Sequence, residues 1–401
     1  LIYLIAPGFY KDPEKLKLAV NLSRITFPFL FFICLASFFS AILNSYNKFA
    51  AAAAAPIILN VILIGSLFFS KWINISDVFT LSYAVSIAGL LQFLILLFFV
   101  RKHFKLILNI KLKIDDKIKF FFRKLIPSIF SSGVTQINIL VGTIIASFQA
   151  GAVSYLYYAD RVYQINLAVA GIAVGTVMLP ELSKHVKNNN SDLITNLQNR
   201  ALELCLFLSI PAGTALVIAS EEIVTSLFGY GSFDYKSVNN TAIALTFFAF
   251  GVPAFSILKI FSNFFFARNN TKLPFYLSVI SVILNILISV LFFGKLGFVI
   301  IPIATSISSW INVILHFYFI KKQNLHDFDR TFIYKFPRII FSTIVMGIIL
   351  YFTLGFFSDK FNYNESWKIV YLFIIVSVNL LIYFFVSNFS GAFKLKDIKL
   401  R

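Results

Sequence analysis

The sequence predicts an all-α polytopic membrane protein in which two parallel six-helix lobes are followed by two C-terminal helices. Of 401 residues, 59% are hydrophobic and only 13% are charged, whereas soluble domains carry about 25% charged residues. Apolar runs of about 20 residues recur along the whole chain, and each is long enough to cross ~30 Å of hydrocarbon as a helix. A weak internal repeat supports the division into two similar lobes.

Eleven apolar runs are expected to span the membrane, after a partial span at residues 1–7. The runs are too long for the strands of a membrane barrel and lack period-two alternation, so helices are predicted. Their approximate limits are 18–43, 50–70, 78–100, 121–148, 152–180, 201–219, 240–267, 273–293, 297–320, 333–356 and 367–389.

The net charge of +18 is concentrated in short loops, so it predicts topology and membrane-lipid contact rather than nucleic-acid binding. One set of alternate loops and the C-terminal tail hold 24 lysines and arginines, and the opposite set holds eight, Lys368 among them. The richer set, with the C-terminus, is therefore predicted to be cytoplasmic. The basic stretch 101–124 is expected to lie on the inner leaflet.

The repeat consists of two pairs of residues at one offset. Pro28 and Pro253 lie 225 residues apart, as do Asn60 and Asn285. Six spans fit in that offset, so the two copies have the same orientation, as in transporters built from parallel repeats. The predicted domains are residues 1–118, the remainder of an N-terminal lobe without its first two helices and most of its third; residues 119–322, a C-terminal six-helix lobe; and residues 323–401, a helix pair with a basic tail.

Arg161 is the charged residue that the membrane tolerates least easily. It lies nine residues into its span, or ~13 Å deep, where an arginine costs roughly 2.5–3.5 kcal/mol on insertion scales. Tyr157, Arg161 and Gln164 share one helix face, and Asp160 projects beside it and can reach Gln164. Two interpretations stay open: a buried ion pair with another helix, or a cation that faces a water-filled cavity.

Arg24 and Lys259 are the other basic residues inside spans. Arg24 is close enough to a span end either to snorkel or to face a cavity, and Lys259 is a candidate for the cavity. Guanidinium groups match phosphate oxygens in a bidentate fork. The basic character of these residues favours an anionic cargo, whereas a drug antiporter for cationic cargo would favour acidic ones.

The sequence lacks the motifs of a membrane enzyme or of an ATPase. No GxxxxGK phosphate loop is present, and the four histidines lack metal-ligand spacing, so no cofactor or metal is expected. A membrane-embedded glycosyltransferase or polymerase is the remote alternative. It predicts an essential acid among Glu221, Glu222 and Asp234 of the longest external loop, whereas a transporter predicts an essential Arg161.

Several segments together resemble the MurJ (MviN) family of lipid II flippases. They are "APGF" at 6–9, "ITFPFLFFICLASFFSAILNSYNKFA" at 25–50, "APIILN" at 55–60, "YYADRV" at 157–162, "GIAVGTVMLPELSK" at 171–184 and "SLFGYGSF" at 226–233. Beyond residue 300 the similarity is mainly in hydropathy. The resemblance implies a MOP/MATE-like fold of fourteen helices, so this sequence is expected to be truncated at its N-terminus.

The resemblance implies a function for the central cavity. The family moves lipid II, the undecaprenyl-diphosphate-linked muropeptide, across the bacterial cytoplasmic membrane by alternating access, and the C-terminal helix pair borders a groove for the polyprenyl tail. The arginine of the family's "ADR" segment matches Arg161, while other cavity arginines and an aspartate belong to helices that precede Leu1. A monomer is expected. A polysaccharide-repeat flippase or a multidrug antiporter of the same superfamily is the nearest alternative.

Some family members bind sodium through acidic residues of the second lobe. Asn285 and Thr305 match such a site by resemblance. Ser289 stands where a carboxylate would be expected, so at most a weak sodium site is predicted there.

Overall fold

A computed structural model describes residues 2–46, 48–74, 76–102, 104 and 116–393. Within these ranges the chain is helical, without strands, and each of the eleven predicted runs corresponds to a long helix. Two short helical turns, Ile2–Ile5 and Pro7–Lys11, come first. The helices are α1 (Pro13–Ser45), α2 (Phe49–Ile73), α3 (Asp77–Arg101), α4 (Asp116–Ala146), α5 (Ala152–Lys187), α6 (Ser191–Ile218), the short α7 (Ser220–Phe228), α8 (Tyr235–Phe266), α9 (Lys272–Leu296), α10 (Ile300–Lys322), α11 (Arg330–Phe356) and α12 (Lys368–Ser390).

Nine segments of the described residues are long and apolar enough to cross a membrane. Helices α9 and α10 form one of these segments, Lys272–Lys322, and α4 contributes only the shorter apolar stretch Gln136–Ala146. The prediction of an all-α polytopic membrane protein is confirmed. Of the predicted inner-leaflet connector at 101–124, residues 103 and 105–115 lie outside the described residues and residues 116–124 belong to α4; residues 394–401 of the basic tail also lie outside them.

Several helices begin before their apolar run because a polar residue caps them. The Asp12 carboxylate accepts a hydrogen bond from the Lys15 amide at 3.1 Å, and Pro13 occupies the first helical turn, so α1 starts five residues earlier than predicted. Asn190 caps α6 in the same way, and the helix begins at Ser191, ten residues before the predicted start at residue 201. Hydropathy locates the apolar part of a helix, whereas the cap determines its first residue.

Residues 1–125 form one compact unit. Helix α3 packs along α1, and Gly89 permits the close approach, because a Cβ atom there would lie 2.7 Å from the Phe29 ring. The Ser86 hydroxyl donates to the Ile25 carbonyl at 2.5 Å across the same contact. Arg24 lies one residue before this carbonyl and is exposed on α1.

Residues 126–401 form the second compact unit, which is built around α8. About 61% of the apolar window of α8 is buried, because α5, α6 and α10 all pack against it. Helices α11 and α12 pack against each other, and α11 also packs on α6. No comparison bears on the predicted domain limits at 118 and 322, and they stay a prediction.

Candidate functional site

The exposed face of α5 carries the arginine predicted from the sequence. Tyr157, Arg161, Gln164 and Ala168 are all exposed on this face, in agreement with their spacing. The Arg161 guanidinium carbon lies 4.8 Å from the centre of the Tyr157 ring, and this cation–π contact orients the side chain. Among the described residues, none of the ion pairs includes Arg161. The structure therefore presents an exposed cation rather than a buried ion pair.

Asp160 lies beside this face and is half-buried. Its carboxylate accepts the predicted hydrogen bond from the Gln164 amide. Asp160 also borders a cavity of about 200 Å³, together with Asn138, Tyr163 and Thr305. Sequence reasoning missed this convergence, because the residues lie on three different helices and belong to no common motif.

A π-helical segment, Ala168–Ala173, interrupts α5 where it meets α8. A Cβ atom on Gly171 would lie 3.0 Å from the Ser256 Cα atom, so the backbones of the two helices come close together. The Gly175 carbonyl accepts a hydrogen bond from the Asn263 amide at 2.7 Å. Such π-bulges occur frequently at functional sites.

Lys259 is exposed and borders a cleft of about 690 Å³ below this contact. Its Cγ atom is 3.4 Å from the position of a Cβ atom on Gly171, a residue ten positions after Arg161. That separation is ~15 Å along the axis of α5. The two cations therefore lie at different levels along α5. They lie in succession along one surface, which continues between them through exposed Ala168 and Ile172.

The structure brings the three predicted sodium ligands together in a buried hydrogen-bonded set. The Asn285 amide donates to the Thr305 hydroxyl at 3.0 Å, and the Ser289 hydroxyl donates to the Asn285 carbonyl oxygen at 3.2 Å. No cluster of histidine, cysteine or acidic residues suited to a metal occurs among the described residues. Hard cations favour carboxylate oxygens, so this neutral set fits a sodium ion poorly.

Lys368 is buried at the start of α12, although the charge count placed it among the lysines of the poorer loops. Its ammonium donates to the Gly229 carbonyl at 2.6 Å and to the Tyr363 carbonyl at 2.7 Å. It also lies 4.0 Å from the centre of the Tyr230 ring. The lysine thus ties the loop after α7 to the C-terminal helix pair.

The acids of the loop between α6 and α8 have structural partners. Asp234 caps α8 by accepting from the Ser237 amide at 2.8 Å, and the hydrogen bonds from Ser237 lower its pKa. Glu221 accepts from the Tyr235 hydroxyl at 3.3 Å. Burial raises the pKa of the Glu222 carboxyl. Helix capping and packing explain these three acids. They do not form the catalytic pair that an external glycosyltransferase would need.

An apolar groove of about 310 Å³ runs between α6 and the C-terminal helix pair. Leu208 and Pro211 of α6 form one wall, and Leu350 of α11 and Ile375 of α12 form the other. Val169 of α5 also borders the groove. The lining is suited to a hydrocarbon chain.

Comparison with known proteins identifies similar sequences over almost the whole chain. Residues 1–372 match the family model described as lipid II flippase MurJ. A relative from Rickettsia prowazekii (strain Madrid E), named probable lipid II flippase MurJ, is 36% identical, and the match covers 92% of this chain and 79% of the relative. A relative of the same name from Rhizobium meliloti (strain 1021) is 38% identical, with 87% and 66% covered.

A solved structure has the same fold. It is titled "Lipid II flippase MurJ, inward closed conformation" and matches with a TM-score of 0.79 at 29% identity. The match covers 97% of this chain and 77% of that one.

Proposed function

The chain belongs to the lipid II flippase MurJ family, and from this premise we propose that it moves lipid II across the bacterial cytoplasmic membrane. Its cargo has three chemically different parts: a hydrocarbon tail, a diphosphate and a sugar–peptide headgroup. Transport without a covalent step requires a surface for each part and a path along which the charged part can cross the membrane.

The exposed Arg161 carries the proposal, with the role of binding the diphosphate. A guanidinium deep in a span is costly unless water and an anion reach it, and its fork geometry suits phosphate oxygens. Stacking on Tyr157 presents the group away from the packed side of α5. The Asp160 carboxylate accepts a hydrogen bond from the Gln164 amide, which holds both side chains in the wall beside the arginine.

The remaining surfaces take the other parts of the cargo. The apolar groove at α6, α11 and α12 receives the hydrocarbon tail. Lys259 of α8 lies beside Gly171, a residue ~15 Å further along α5 than Arg161, and offers a second cation on the path toward the more basic, cytoplasmic side. Arg24 supplies a further exposed cation on α1. The C-terminus is cytoplasmic, and one chain supplies all these surfaces, so it acts as a monomer.

The test is complementation in a bacterium depleted of its own flippase. Because the match covers 79% of the Rickettsia relative, the chain is expressed both as it stands and joined to the part of that relative that the match leaves uncovered. Whichever form restores growth is compared with its Arg161→Ala and Arg161→Lys variants. Alanine should abolish growth, and lysine, which lacks the bidentate fork, should restore it only partly.

The matched control is Arg330→Ala, which removes an exposed arginine of the same unit that lies outside the proposed path and should preserve growth. Equal growth with Arg161→Ala and wild type would remove Arg161 from the path. Failure of both wild-type forms, at normal membrane levels, would refute the assignment of lipid II as cargo.

A further inference from the structure

A second cleft opens at the end of α5 that faces away from the basic loops. Its volume is about 600 Å³. Three tyrosines, Tyr155, Tyr158 and Tyr230, line it together with the hydroxyl groups of Ser154, Ser232 and Ser237. All of these residues belong to the second compact unit.

The aromatic wall of this cleft is held in place by contacts behind it. Lys368 lies 4.0 Å from the centre of the Tyr230 ring, and its ammonium is fixed by the Gly229 and Tyr363 carbonyls. The Tyr363 hydroxyl donates to the Phe233 carbonyl at 2.9 Å. Tyr230 remains 46% exposed, so one part of the ring is clamped and the rest is free for a ligand. A preorganised wall lowers the entropy cost of binding.

Tyr158 forms the opposite part of the wall and is also fixed. Its ring lies 4.8 Å from the Phe228 ring and 5.1 Å, edge to face, from the Phe233 ring. Both phenylalanines belong to the "SLFGYGSF" segment, which the proposed path does not otherwise use. The segment therefore supplies Tyr230 to one side of the cleft, and its two phenylalanines hold Tyr158 in place on the other side.

The lining selects a neutral, hydroxyl-rich ligand. None of the side chains that line the cleft is charged, so a phosphate or a peptide carboxylate would gain no ion pair there. Aromatic rings provide flat apolar surfaces, and serine hydroxyls both donate and accept hydrogen bonds. A sugar ring has the complementary pattern, with an apolar C–H face and a rim of polar groups.

The distance to Arg161 fits the same ligand. Ser154 precedes Arg161 by seven residues, which places the two on one face of α5, ~10 Å apart along the axis. Tyr157 lies between them and is exposed. Two sugar units attached to a diphosphate extend over a distance of this order.

We propose that the Tyr155–Tyr158–Tyr230 cleft is a carbohydrate subsite that receives the headgroup sugars while the diphosphate is at Arg161. The link to Arg161 rests on the proposed function, whereas the affinity for sugar does not. The cleft binds the disaccharide on the outer side of the membrane and so stabilises the cargo with its headgroup on that side.

The experiment measures binding of a soluble disaccharide, N,N′-diacetylchitobiose, to the full chain in lipid nanodiscs by saturation-transfer difference NMR. The sugar carries neither phosphate nor lipid, so only the cleft is probed. Wild type should bind it with a roughly millimolar Kd, as expected for a small ligand with few contacts. Tyr230→Ala should weaken binding about tenfold, and Tyr230→Phe, which keeps the ring, should retain it.

Tyr235→Ala is the matched control, since Tyr235 is an exposed tyrosine at the same end of the unit that does not line the cleft. It should bind the sugar like wild type. Absence of binding to wild type, or equal binding by wild type and Tyr230→Ala, overturns the carbohydrate subsite, as does preferential binding of the soluble stem peptide. If growth still depends on Arg161 in that case, the proposed transport of lipid II stands and only the carbohydrate subsite is refuted. If wild type binds the sugar but does not restore growth, the subsite stands and the proposed function is refuted.

Discussion

The buried Lys368 provides a sharp test of how the C-terminal helix pair is attached. Lys368→Met keeps the length and apolar stem of the side chain but removes the ammonium. The Gly229 and Tyr363 carbonyls then lose donors at 2.6 and 2.7 Å, and each hydrogen bond to a charged group is worth about 1.5–3 kcal/mol. Relief from burying the charge offsets part of this loss, so the net destabilisation should be about 2–4 kcal/mol.

The assay is thermal unfolding of the purified protein in detergent, combined with limited proteolysis of the loop at Gly229–Asp234. A loss of about 3 kcal/mol corresponds to a fall in Tm of roughly 5 °C for a unit of this size, and cleavage in the loop should accelerate. Lys360→Met is the matched control, because Lys360 is exposed and lies 5.7 Å from the Tyr371 ring; its Tm should hardly change. An unchanged Tm and cleavage rate in Lys368→Met would refute the inference that the ammonium holds the loop.

Two further predictions concern the end of the second unit where the loop between α10 and α11 lies. Burial lowers the pKa of His326 to about 4; the unfolded chain takes up a proton below pH ~6.5 that the folded chain does not, so stability should fall by up to ~3 kcal/mol between pH ~6.5 and ~4. Thermal unfolding at pH 7 and pH 4.5 should show a smaller acid loss for His326→Gln, and equal losses would contradict this. Lys335 and Glu203 form a 2.9 Å ion pair with side chains only 16% and 9% exposed. Lys335→Met should cost about 3–5 kcal/mol in unfolding free energy, whereas the double variant with Glu203→Gln should recover most of it; additive losses would exclude the coupling.

Most of the fold could be predicted because hydrocarbon imposes a strong constraint on sequence. A span must satisfy its backbone internally and remain apolar for about 20 residues, so all eleven runs could be recognised from composition. Their ends could not be placed as well, because Asp12 and Asn190 begin helices inside polar sequence. Pro180 did not end α5, which continues to Lys187.

The candidate site could be predicted only in part. The spacing of Tyr157, Arg161 and Gln164 predicted their common face, since that relation is local to one helix. The roles of Lys368 and Asn138 depend on partners more than 100 residues away or on other helices, and no local pattern records such contacts. The charge rule assigned Lys368 to the poorer loops and gave no sign that it is buried at the start of α12.

The positions along α5 suggest why one helix can serve cargo with such different parts. Its exposed face passes from the uncharged cleft at Ser154 to the cation at Arg161 and then to the cleft beside Lys259. Val169, on another side of the helix, borders the apolar groove. The proposed sugar and hydrocarbon surfaces therefore each lie about two helical turns from the proposed phosphate site at Arg161, and about four turns from each other. The π-helical segment Ala168–Ala173 lies between Arg161 and the contact at Gly175. It changes which residues of α5 share one face, at the point where the exposed face passes from the arginine to the cleft beside Lys259.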